Sequence, residues 1–482
     1  MRPALLALVG GLAVALAGAA CSGGSGTKVG GTTLGATPGG QQGNPNADLS
    51  KADFSSLIYW EGLNFYGGVI PEAPLQLFLD MAASGDKRYA SYFLDLAALP
   101  TPYEARAVDV LKVLLGPFGD FGTFDWVERR GFLGPEDDSP QYLAFKHRLL
   151  ATLQQEIGDF VRPEAKRAIS GQEILWGGVC VDCIPPLETP KLVTPAQADA
   201  WISPVDQVIG IEINGDARAY PRRIIDWHEM VNDTVGGVPV SLAYCTLCGS
   251  AILYDGRVGG RVFDFGTSGL LYRSNKLMYD RQTRTLWEQY TGEPVWGELV
   301  GSGIQLEILP AVHTTYGEWL RDHPGTKVLD IETGFQRDYG SGVAYEDYFA
   351  SPQLMFPAPD RSGPLKVKDV VFAVRVEGEL TAYPVNLLAS RGFVQDRIGS
   401  KGVVVVGTGD GSGGRAFADG GVTFTAADRK AGRLTSQDGR EWQVTETALV
   451  GSDGTRLERL PGHNSFWFSV INHTSNGRLY GQ

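Results

Sequence analysis

Two cysteines, Cys245 and Cys248, stand three positions apart and are followed directly by Gly249. The preceding residues, VPVSLAY, predict a β-strand, so Cys245 falls at a strand end and the next residues form a turn. Such a turn brings the two side chains together, and the glycine permits a left-handed backbone that points N–H groups at a thiolate. The pair can supply half of a tetrahedral metal site, act as a redox dithiol, or form a structural disulfide.

A histidine, His228, lies 17 residues upstream of the first thiol, about one hairpin away. Soft thiolate suits Cu(I) or Zn, and imidazole suits both metals. We therefore predict that His228, Cys245 and Cys248 bind copper or zinc. Glu229 and Asp233 are expected to orient the imidazole ring or to ligate directly. Two alternatives stay open: a thiol–disulfide redox protein, and a non-catalytic surface binding or scaffold module stapled by disulfides.

The other cysteine pair, Cys180 and Cys183, differs from the first because Ile-Pro-Pro follows it and not glycine. It is therefore a poorer metal-binding loop, whereas a disulfide between the two cysteines is feasible. A zinc site built from all four thiolates is disfavoured because the spacer between the two pairs is long for a zinc ribbon. We predict that Cys180 and Cys183 can form a disulfide with each other.

The segment 263–299, which follows the thiol pair, is rich in aromatic residues, arginine and asparagine. It predicts paired strands around the thiol loop. Some of its side chains could line a cleft beside the thiols, although edge-strand packing and hairpin ion pairs explain them equally well. The candidate cleft residues are Arg273, Asn275, Asp280 and Trp287.

The second half of the chain contains an internal repeat. Residues 205–221 match residues 368–384 at an offset of 163 positions, and both stretches end in Ala-Tyr-Pro. The two units also end alike, each with a pair of histidines, which are His313 and His323 in the first unit and His463 and His473 in the second. Because the histidines occur in both copies, we predict that they are satisfied structural residues.

The predicted metal ligands, in contrast, occur in one copy only. At the offset of 163 they align with unrelated residues: His228 with Arg391, Cys245 with Thr408 and Cys248 with Gly411. Features shared by both copies are those the fold needs, and features of one copy are free to serve function. The alignment therefore predicts a functional first copy and a degenerate, structural second copy.

The elements that must position these residues follow from hydrophobic periodicity. Apolar residues recur at three- and four-residue steps through residues 49–170, which predicts a helical, repeat-like domain. From residue 171, β-branched and aromatic residues alternate with polar ones between Gly turns. We therefore predict an α+β protein with a helical N-terminal domain and a duplicated, mainly antiparallel β domain. Its modules would span residues 171–340 and 355–482.

The N-terminal residues predict export. Residues 1–20 hold one arginine and a short apolar run that ends at Cys21, as in a signal peptide with a lipobox-like cleavage site. Residues 21–48 are rich in Gly, Ser and Thr, which is typical of a flexible tether. We predict lipidation at Cys21 and an extracytoplasmic lipoprotein, anchored to the cell membrane at the cell surface or in the periplasm.

The composition limits the partners. The chain has 42 Lys and Arg against 55 Asp and Glu, a formal net charge of −13 and a pI near 5.0, which excludes a basic nucleic-acid footprint. With 43% hydrophobic and 20% charged residues it can bury sizeable cores. The membrane is the one partner predicted, and neither a reaction nor a substrate follows from the sequence.

Four segments together carry a resemblance: WHEMVND, VSLAYCTLCGSA, the stretch 263–293, and LPAVHTTYGEWLRDHPGTKVL. From about residue 180 to the end, the chain resembles a family of exported bacterial and archaeal proteins that is known as a domain of unknown function. The resemblance implies a grouping and no mechanism. Members of that family have Asp-Gly-Ile-Pro where this chain has Asp182-Cys183-Ile-Pro, which implies that the pair Cys180 and Cys183 is a local addition and not part of a shared site.

Overall fold

The computed structural model describes residues 42–58, 72–98, 104–115, 138–359 and 363–482. The predicted signal peptide, Cys21 and residues 21–41 of the predicted tether lie outside these ranges. Within the described ranges, no helix is both long enough and apolar enough to cross a membrane.

Helices make up most of the described chain before residue 161, and short helices separate the strands after it. Their bounds are α1 (Glu72–Ser84), α2 (Ala90–Ala97), α3 (Glu104–Leu115), α4 (Pro140–Leu153), α5 (Gln155–Phe160), α6 (Pro195–Ala198), α7 (Arg222–His228), α8 (Tyr316–Asp322), α9 (Glu346–Ala350), α10 (Val385–Arg391) and α11 (Trp467–His473). The start of α4 shows why helices begin where they do: Ser139 accepts a hydrogen bond from the Tyr142 N–H, and Pro140 fits the first helical position.

The N-terminal helices share their hydrophobic core with a β-sheet. Buried side chains of the helices, such as Phe93 and Leu111, belong to one apolar cluster with Ile174, Leu270 and Trp296, which lie on strands. Removing this apolar surface from water is the main force that holds the two parts together. The predicted boundary at residue 170 therefore divides the sequence but does not divide the core.

The strands between residues 174 and 329 form three five-stranded sheets and one small hairpin. They are β1 (Ile174–Trp176), β2 (Leu187–Glu188), β3 (Leu192–Val193), β4 (Gln207–Ile213), β5 (Asp216–Pro221), β6 (Met230–Val235), β7 (Val238–Cys245), β8 (Ser250–Asp255), β9 (Arg257–Val258), β10 (Arg261–Val262), β11 (Phe265–Tyr272), β12 (Asn275–Asp280), β13 (Leu286–Glu288), β14 (Glu293–Trp296), β15 (Ile308–Leu309), β16 (Val312–Thr315) and β17 (Lys327–Leu329). The sheet orders are β1-β11-β12-β13-β14, β15-β8-β7-β6-β2 and β16-β4-β5-β17-β3, and β9 pairs with β10.

The strands after residue 370 form one sheet of four strands and one of eight. They are β18 (Val370–Val376), β19 (Glu379–Pro384), β20 (Phe393–Ile398), β21 (Lys401–Gly407), β22 (Gly414–Ala418), β23 (Phe424–Asp428), β24 (Arg433–Ser436), β25 (Glu441–Val444), β26 (Ala448–Gly451), β27 (Arg456–Leu460), β28 (Gly462–Phe466) and β29 (Gly477–Leu479). The sheet orders are β28-β18-β19-β29 and β20-β21-β22-β27-β26-β25-β24-β23. The protein is thus a mixed α+β fold with mainly antiparallel sheets, as predicted.

Part of the strand order is the same in the two β regions. Strands β16-β4-β5-β17 of the first region correspond in order to β28-β18-β19-β29 of the second, and in both sets only the last pairing is parallel. The turns between the first two strands are also alike, because Gly215 and Gly378 both adopt a left-handed backbone with φ of 79° and 82°. Glycine reaches this conformation without steric cost.

Candidate functional site

The thiol loop joins two strands of one sheet. Strand β7 ends at Cys245, residues Thr246–Cys248 form a single 3₁₀ turn, and Gly249 reverses the chain with a φ of 59°. Cys245 pairs with Ser250 at the start of β8, so four residues connect the two antiparallel strands. The predicted arrangement of a strand, a turn and a left-handed glycine is confirmed.

The two sulfurs of this loop are close together and buried. The Sγ atoms of Cys245 and Cys248 are 2.9 Å apart, and the Cys248 thiol donates to the carbonyl oxygen of Ser274 at 3.4 Å. The residues are 1% and 0% exposed, and both cysteines are free thiols. Burial raises the pKa of Cys248 well above its ordinary value, and the adjacent Cys245 adds to the shift. Cys248 therefore rests as a neutral thiol in this conformation.

A buried acid–base pair flanks the thiols. Glu229 follows helix α7 with a left-handed φ of 55°, and its carboxylate lies 3.7 Å from the Nζ atom of Lys276. Lys276 also donates to the backbone oxygen of Glu229 at 2.7 Å. Burial raises the pKa of Glu229 and lowers the pKa of Lys276, so both groups are less firmly charged than at the surface. The Glu229 charge further raises the pKa of Cys248, and a charge on Cys245 raises that of Lys276.

His228, the predicted imidazole ligand, is engaged elsewhere. Its Nδ1 atom lies 2.7 Å from the carbonyl oxygen of Pro185, and its Nε2 atom lies 2.6 Å from the hydroxyl of Tyr339. A carbonyl only accepts, so Nδ1 carries the proton and Nε2 accepts from the tyrosine. Burial lowers the pKa of His228 to about 4, which keeps the ring neutral. In the described chain, no group of three or more His, Cys, Asp or Glu side chains is arranged to hold a metal ion.

The predicted supporting acids separate into two environments. Glu229 lies beside the thiols, but Asp233 does not accompany His228. The Asp233 carboxylate instead accepts hydrogen bonds from the Arg218 guanidinium at 2.6 Å and from the Tyr220 hydroxyl at 2.7 Å. Asp233 therefore ties strand β6 to strand β5, and the expectation that it orients His228 is not supported.

The four predicted cleft residues do not share a cleft. Arg273 lines a cavity of about 250 Å³ together with Glu288 and His473. The other three are buried inside the sheet: the Asn275 amide donates to Gln289 at 3.1 Å, and Asp280 accepts from the Trp287 indole at 2.8 Å. Of these four residues, only Arg273 therefore lines an opening. Packing between strands explains the positions of the other three.

Cys180 and Cys183 form a disulfide, with Cα atoms 5.1 Å apart. The Cys183 N–H also donates to the Cys180 carbonyl oxygen at 3.1 Å, which closes a tight turn. The predicted pairing of these two residues is confirmed, and Cys245 and Cys248 take no part in it.

A stretch of chain between the two β regions covers the thiols. This covering segment, residues 345–358, supplies Tyr348, Leu354 and Ala358 to the apolar cluster that contains both cysteines. The Tyr348 hydroxyl donates to the carbonyl oxygen of Leu247, inside the thiol loop, at 2.6 Å. The Nζ atom of Lys368 lies 3.3 Å from the centre of the Tyr348 ring, a cation–π contact that holds the ring in place.

The covering segment is also under backbone strain. Tyr345, at its start, has a φ of 56°, which is the left-handed region that a bulky side chain rarely adopts. Such a conformation costs about 1–3 kcal/mol and persists only where surrounding contacts enforce it. The Tyr345 side chain packs against the apolar cluster that contains both cysteines, and its carbonyl oxygen accepts the Phe349 N–H at 3.0 Å.

The second β region completes the cover. A methyl group added at Gly249 would lie 3.1 Å from the ring of Phe466, so a side chain there crowds the start of α11. Phe466 and Phe468 belong to the same apolar cluster as the two cysteines. A third residue of this region, Ser469, is 0% exposed, and the interaction of its hydroxyl with the Cys248 thiol lowers the pKa of that thiol.

The loop at the matching position of the second region, residues 408–413, is built differently. The carboxylate of Glu318, on helix α8, accepts the backbone N–H groups of Gly409 at 2.9 Å and of Asp410 at 2.7 Å. Asp410 in turn accepts the Thr315 N–H at 2.7 Å and the Thr408 hydroxyl at 2.6 Å. The polar groups of this loop serve to join the two β regions.

Sequence reasoning missed Lys276, the covering segment and an unusual feature of the histidines. The run 275–280 could have revealed Lys276, because every residue of that strand is buried and a lysine there needs a partner. The expectation that the repeated histidines are satisfied is wrong for one ring atom each of His313, His463 and His473. Their buried Nε2 atoms have no hydrogen-bond partner.

Comparison with known proteins gives one informative match. No curated protein and no solved structure shows a significant similarity to the chain. A family model described as "Protein of unknown function (DUF3179)" matches residues 181–476, more than half of the chain. This match confirms the predicted resemblance in kind and in extent, and it covers the thiol loop and both β regions. The chain therefore belongs to the DUF3179 family.

Proposed function

We propose that Cys245 and Cys248 are a redox-active dithiol that exchanges with a disulfide of a partner molecule. The observation that carries the proposal is the 2.9 Å separation of the two sulfurs within a loop that holds them on one side. A small approach of the two sulfurs completes a disulfide, whose bond length is about 2.05 Å.

A metal site is less well supported by the same distance. Two thiolates on a tetrahedral zinc ion, with Zn–S bonds of about 2.3 Å, are roughly 3.8 Å apart. The pair would have to open, and the ring nitrogens of His228 would have to leave Pro185 and Tyr339. Copper or zinc bound by His228, Cys245 and Cys248 is thus the competing proposal that an experiment must separate.

Glu229 and Lys276 give the exchange its proton chemistry. One cysteine loses its proton and, as a thiolate, attacks a partner disulfide sulfur, and the displaced partner thiolate takes up that proton. The Glu229 carboxylate accepts the proton of the second cysteine, which then attacks the mixed disulfide. Glu229 returns that proton to the departing partner thiolate, so the partner leaves as a dithiol. Two cysteine thiols are oxidised, one partner disulfide is reduced, and atoms and electrons balance. A buried carboxyl with a raised pKa is suited to this role.

The covering segment must move for exchange to occur, because both thiols are essentially unexposed. The strain at Tyr345 favours its release, and the Tyr348 and Lys368 contacts oppose it. The segment thereby restricts which molecules reach the thiols.

We also infer that the two β regions are copies of one module, of which only the first keeps reactive groups. The shared strand order and the matching turns at Gly215 and Gly378 support this inference. We propose as well that the helices before residue 170 form an N-terminal domain. If the regions are copies, their backbones superpose with Gly215 on Gly378; placement of the two glycines in different turns would contradict it.

We further propose that the chain is exported and held at a membrane by a lipid on Cys21. The sequence 1–21 supports export, and the Cys180–Cys183 disulfide is at home in an oxidising compartment. Cys21→Ser should move the protein from the membrane fraction to the soluble fraction or leave the precursor uncleaved. Cleavage elsewhere with an unmodified product would contradict the anchor.

The redox proposal is tested by equilibrating the full chain in buffers of defined oxidised and reduced glutathione and counting thiols by mass after denaturing alkylation. The wild type and Cys180→Ser/Cys183→Ser should both show a two-electron couple, expected roughly between −300 and −120 mV. Cys245→Ser/Cys248→Ser should lack it. Copper and zinc are measured in parallel on protein purified without chelators. One bound metal per chain that protects Cys245 and Cys248 from oxidation would replace the redox proposal with the metal site.

A further inference from the structure

A cavity of about 660 Å³, with neither cysteine of the thiol loop in its lining, is lined by Trp201, Arg223 and residues 331–340. We call residues 331–340 the cavity loop. Its inner anchor is the Trp227 indole, which donates to the Asp338 carbonyl oxygen at 2.8 Å. The volume is within the range of small-molecule sites, roughly 300–1,000 Å³.

The floor of the cavity is a chain of directed hydrogen bonds that ends on His228. Because Nδ1 of His228 donates to Pro185, its Nε2 accepts from Tyr339, whose own oxygen then accepts from the Thr333 hydroxyl at 2.6 Å. Thr333 and Tyr339 both line the cavity. The histidine thereby fixes two hydroxyl groups in one orientation, which a general packing role does not require.

One of the two arginines that line the cavity has no ion-pair partner among the described residues. Arg223 lies 3.4 Å from the Asp206 carboxylate, but the Arg337 guanidinium donates only to the Gln336 carbonyl oxygen and has no carboxylate within 4 Å in the described chain. Two acids also line the cavity: the Asp338 carboxylate accepts the Gly340 N–H at 2.9 Å, and Glu332 raises the pKa of Lys191 less than Asp330, the ion-pair partner of that lysine, does.

Apolar surface lies beside this charge. Phe335 is 43% exposed although its ring lies 5.3 Å from the His228 ring, and Arg223 holds the Trp201 ring from behind at 5.3 Å. An exposed aromatic side chain at the mouth of a cavity, next to a second aromatic ring, offers a surface for a flat apolar ligand.

We propose that this cavity binds a small organic monocarboxylate with a planar apolar body. The carboxylate would lie against Arg337 and the apolar body against Trp201 and Phe335. One carboxylate matches one free guanidinium, and Arg binds it in a two-pronged, charge-assisted contact. A doubly charged phosphate is less suitable because Glu332 and Asp338 line the same cavity. The proposal is independent of the dithiol, because none of the residues that carry it belongs to the thiol site.

The test uses the full chain and three probes of the same size: 2-naphthoate, the neutral 2-naphthamide and the doubly charged 2-naphthyl phosphate. Binding is followed by calorimetry and by quenching of tryptophan fluorescence. We expect 2-naphthoate to bind and the amide and the phosphate to bind at least ~10-fold more weakly, the cost of losing a charge-assisted hydrogen bond or of adding repulsion. Arg337→Gln should weaken 2-naphthoate by ~10-fold or more.

The matched control is Arg321→Gln, because Arg321 is exposed, pairs with the adjacent Asp322 and lies outside the cavity. It should leave the affinity for 2-naphthoate unchanged, and Cys245→Ser/Cys248→Ser should do the same. Failure of 2-naphthoate to bind, equal binding of acid and amide, or unchanged binding to Arg337→Gln each overturns the proposal. None of these outcomes bears on the redox couple of the thiols.

Discussion

The thiol loop and the loop at residues 408–413 each connect two antiparallel strands, β7 to β8 and β21 to β22, yet the polar groups of the two loops make different contacts. In the second loop, backbone N–H groups bind Glu318 and side chains bind one another. In the first, the sulfurs of Cys245 and Cys248 contact each other and one carbonyl oxygen. The polar groups of the loop at residues 408–413 join the two β regions, whereas the two cysteines of the thiol loop remain free thiols.

In this protein, a similar strand–turn–strand backbone therefore carries either reactive thiols or polar groups with a structural role. The strand, turn and strand needed to form either loop are the same, and left-handed glycines serve both, Gly249 in the first and Gly411 in the second. What changes is the set of side chains and the element that covers them. The covering segment closes the first loop, and helix α8 with Glu318 closes the second. Each prediction below tests one side of the contrast.

The largest effect is expected from Glu318→Gln, which breaks the anchoring of the second loop. The substitution removes a buried carboxylate that accepts two backbone N–H groups and lies 3.9 Å from Arg415. We expect the free energy of unfolding to fall by about 3 kcal/mol, measured by urea denaturation. The control Glu458→Gln removes the more exposed pair with Lys401 and should cost under ~0.5 kcal/mol. Equal effects of both variants would contradict an anchoring role.

The next effect concerns helix α7, where the first region buries Asp226 and the matching position of the second holds Ala389. Burial raises the pKa of Asp226 to about 7, and Arg222 at 3.6 Å only partly opposes the shift. Since the folded-state pKa is above the unfolded value, near ~3.9, the native state binds the proton more tightly. Its contribution to stability is fully present below about pH 4 and is lost as the pH rises to about 7.

Asp226→Asn imitates the protonated form and should therefore stabilise the protein above pH 7, by about 2 kcal/mol, with little change near pH 4. Urea unfolding at both pH values measures this. The exposed Asp322, which pairs with Arg321, provides the control Asp322→Asn and should show no such pH dependence. A loss of stability in Asp226→Asn at pH 8 would refute the burial argument.

The smallest effect concerns the cover of the first loop. Tyr348→Phe removes the hydrogen bond to Leu247 and retains the ring, so the covering segment should open more often. A hydrogen bond contributes about 1 kcal/mol, which corresponds to a rise of about 5-fold in the alkylation rate of Cys245 and Cys248 in the native protein. Mass spectrometry of the modified peptides measures the rate. Tyr383→Phe, which removes a hydrogen bond to Asp396 in the second region, should leave the rate unchanged.

Local features of the site could be read from the sequence because they depend on neighbouring residues. The strand before Cys245, the turn that closes on Gly249 and the pairing of Cys180 with Cys183 all follow from spacings of a few residues. The mainly antiparallel character of the sheets also followed, because alternation and Gly turns are local signals.

The contacts of His228 could not be read in this way. Its partner Tyr339 is 111 residues away, and nothing in the spacing of either residue points to the other. The same holds for Glu229 and Lys276, which are 47 residues apart and meet only because strands β6 and β12 lie in neighbouring sheets. Proximity in sequence therefore predicts a metal site that contains His228 and the thiols, whereas in the fold His228 binds Tyr339.

The contact between Gly249 and Phe466 has a consequence for how the protein is made. A chain is synthesised from its N-terminus, so strands β7 and β8 exist long before Phe466 and Phe468 do. The cover of the thiol loop is therefore incomplete until the last helix, α11, is added. During that interval Cys245 and Cys248 are less shielded from the oxidants and reductants around the growing chain than they are in the folded protein.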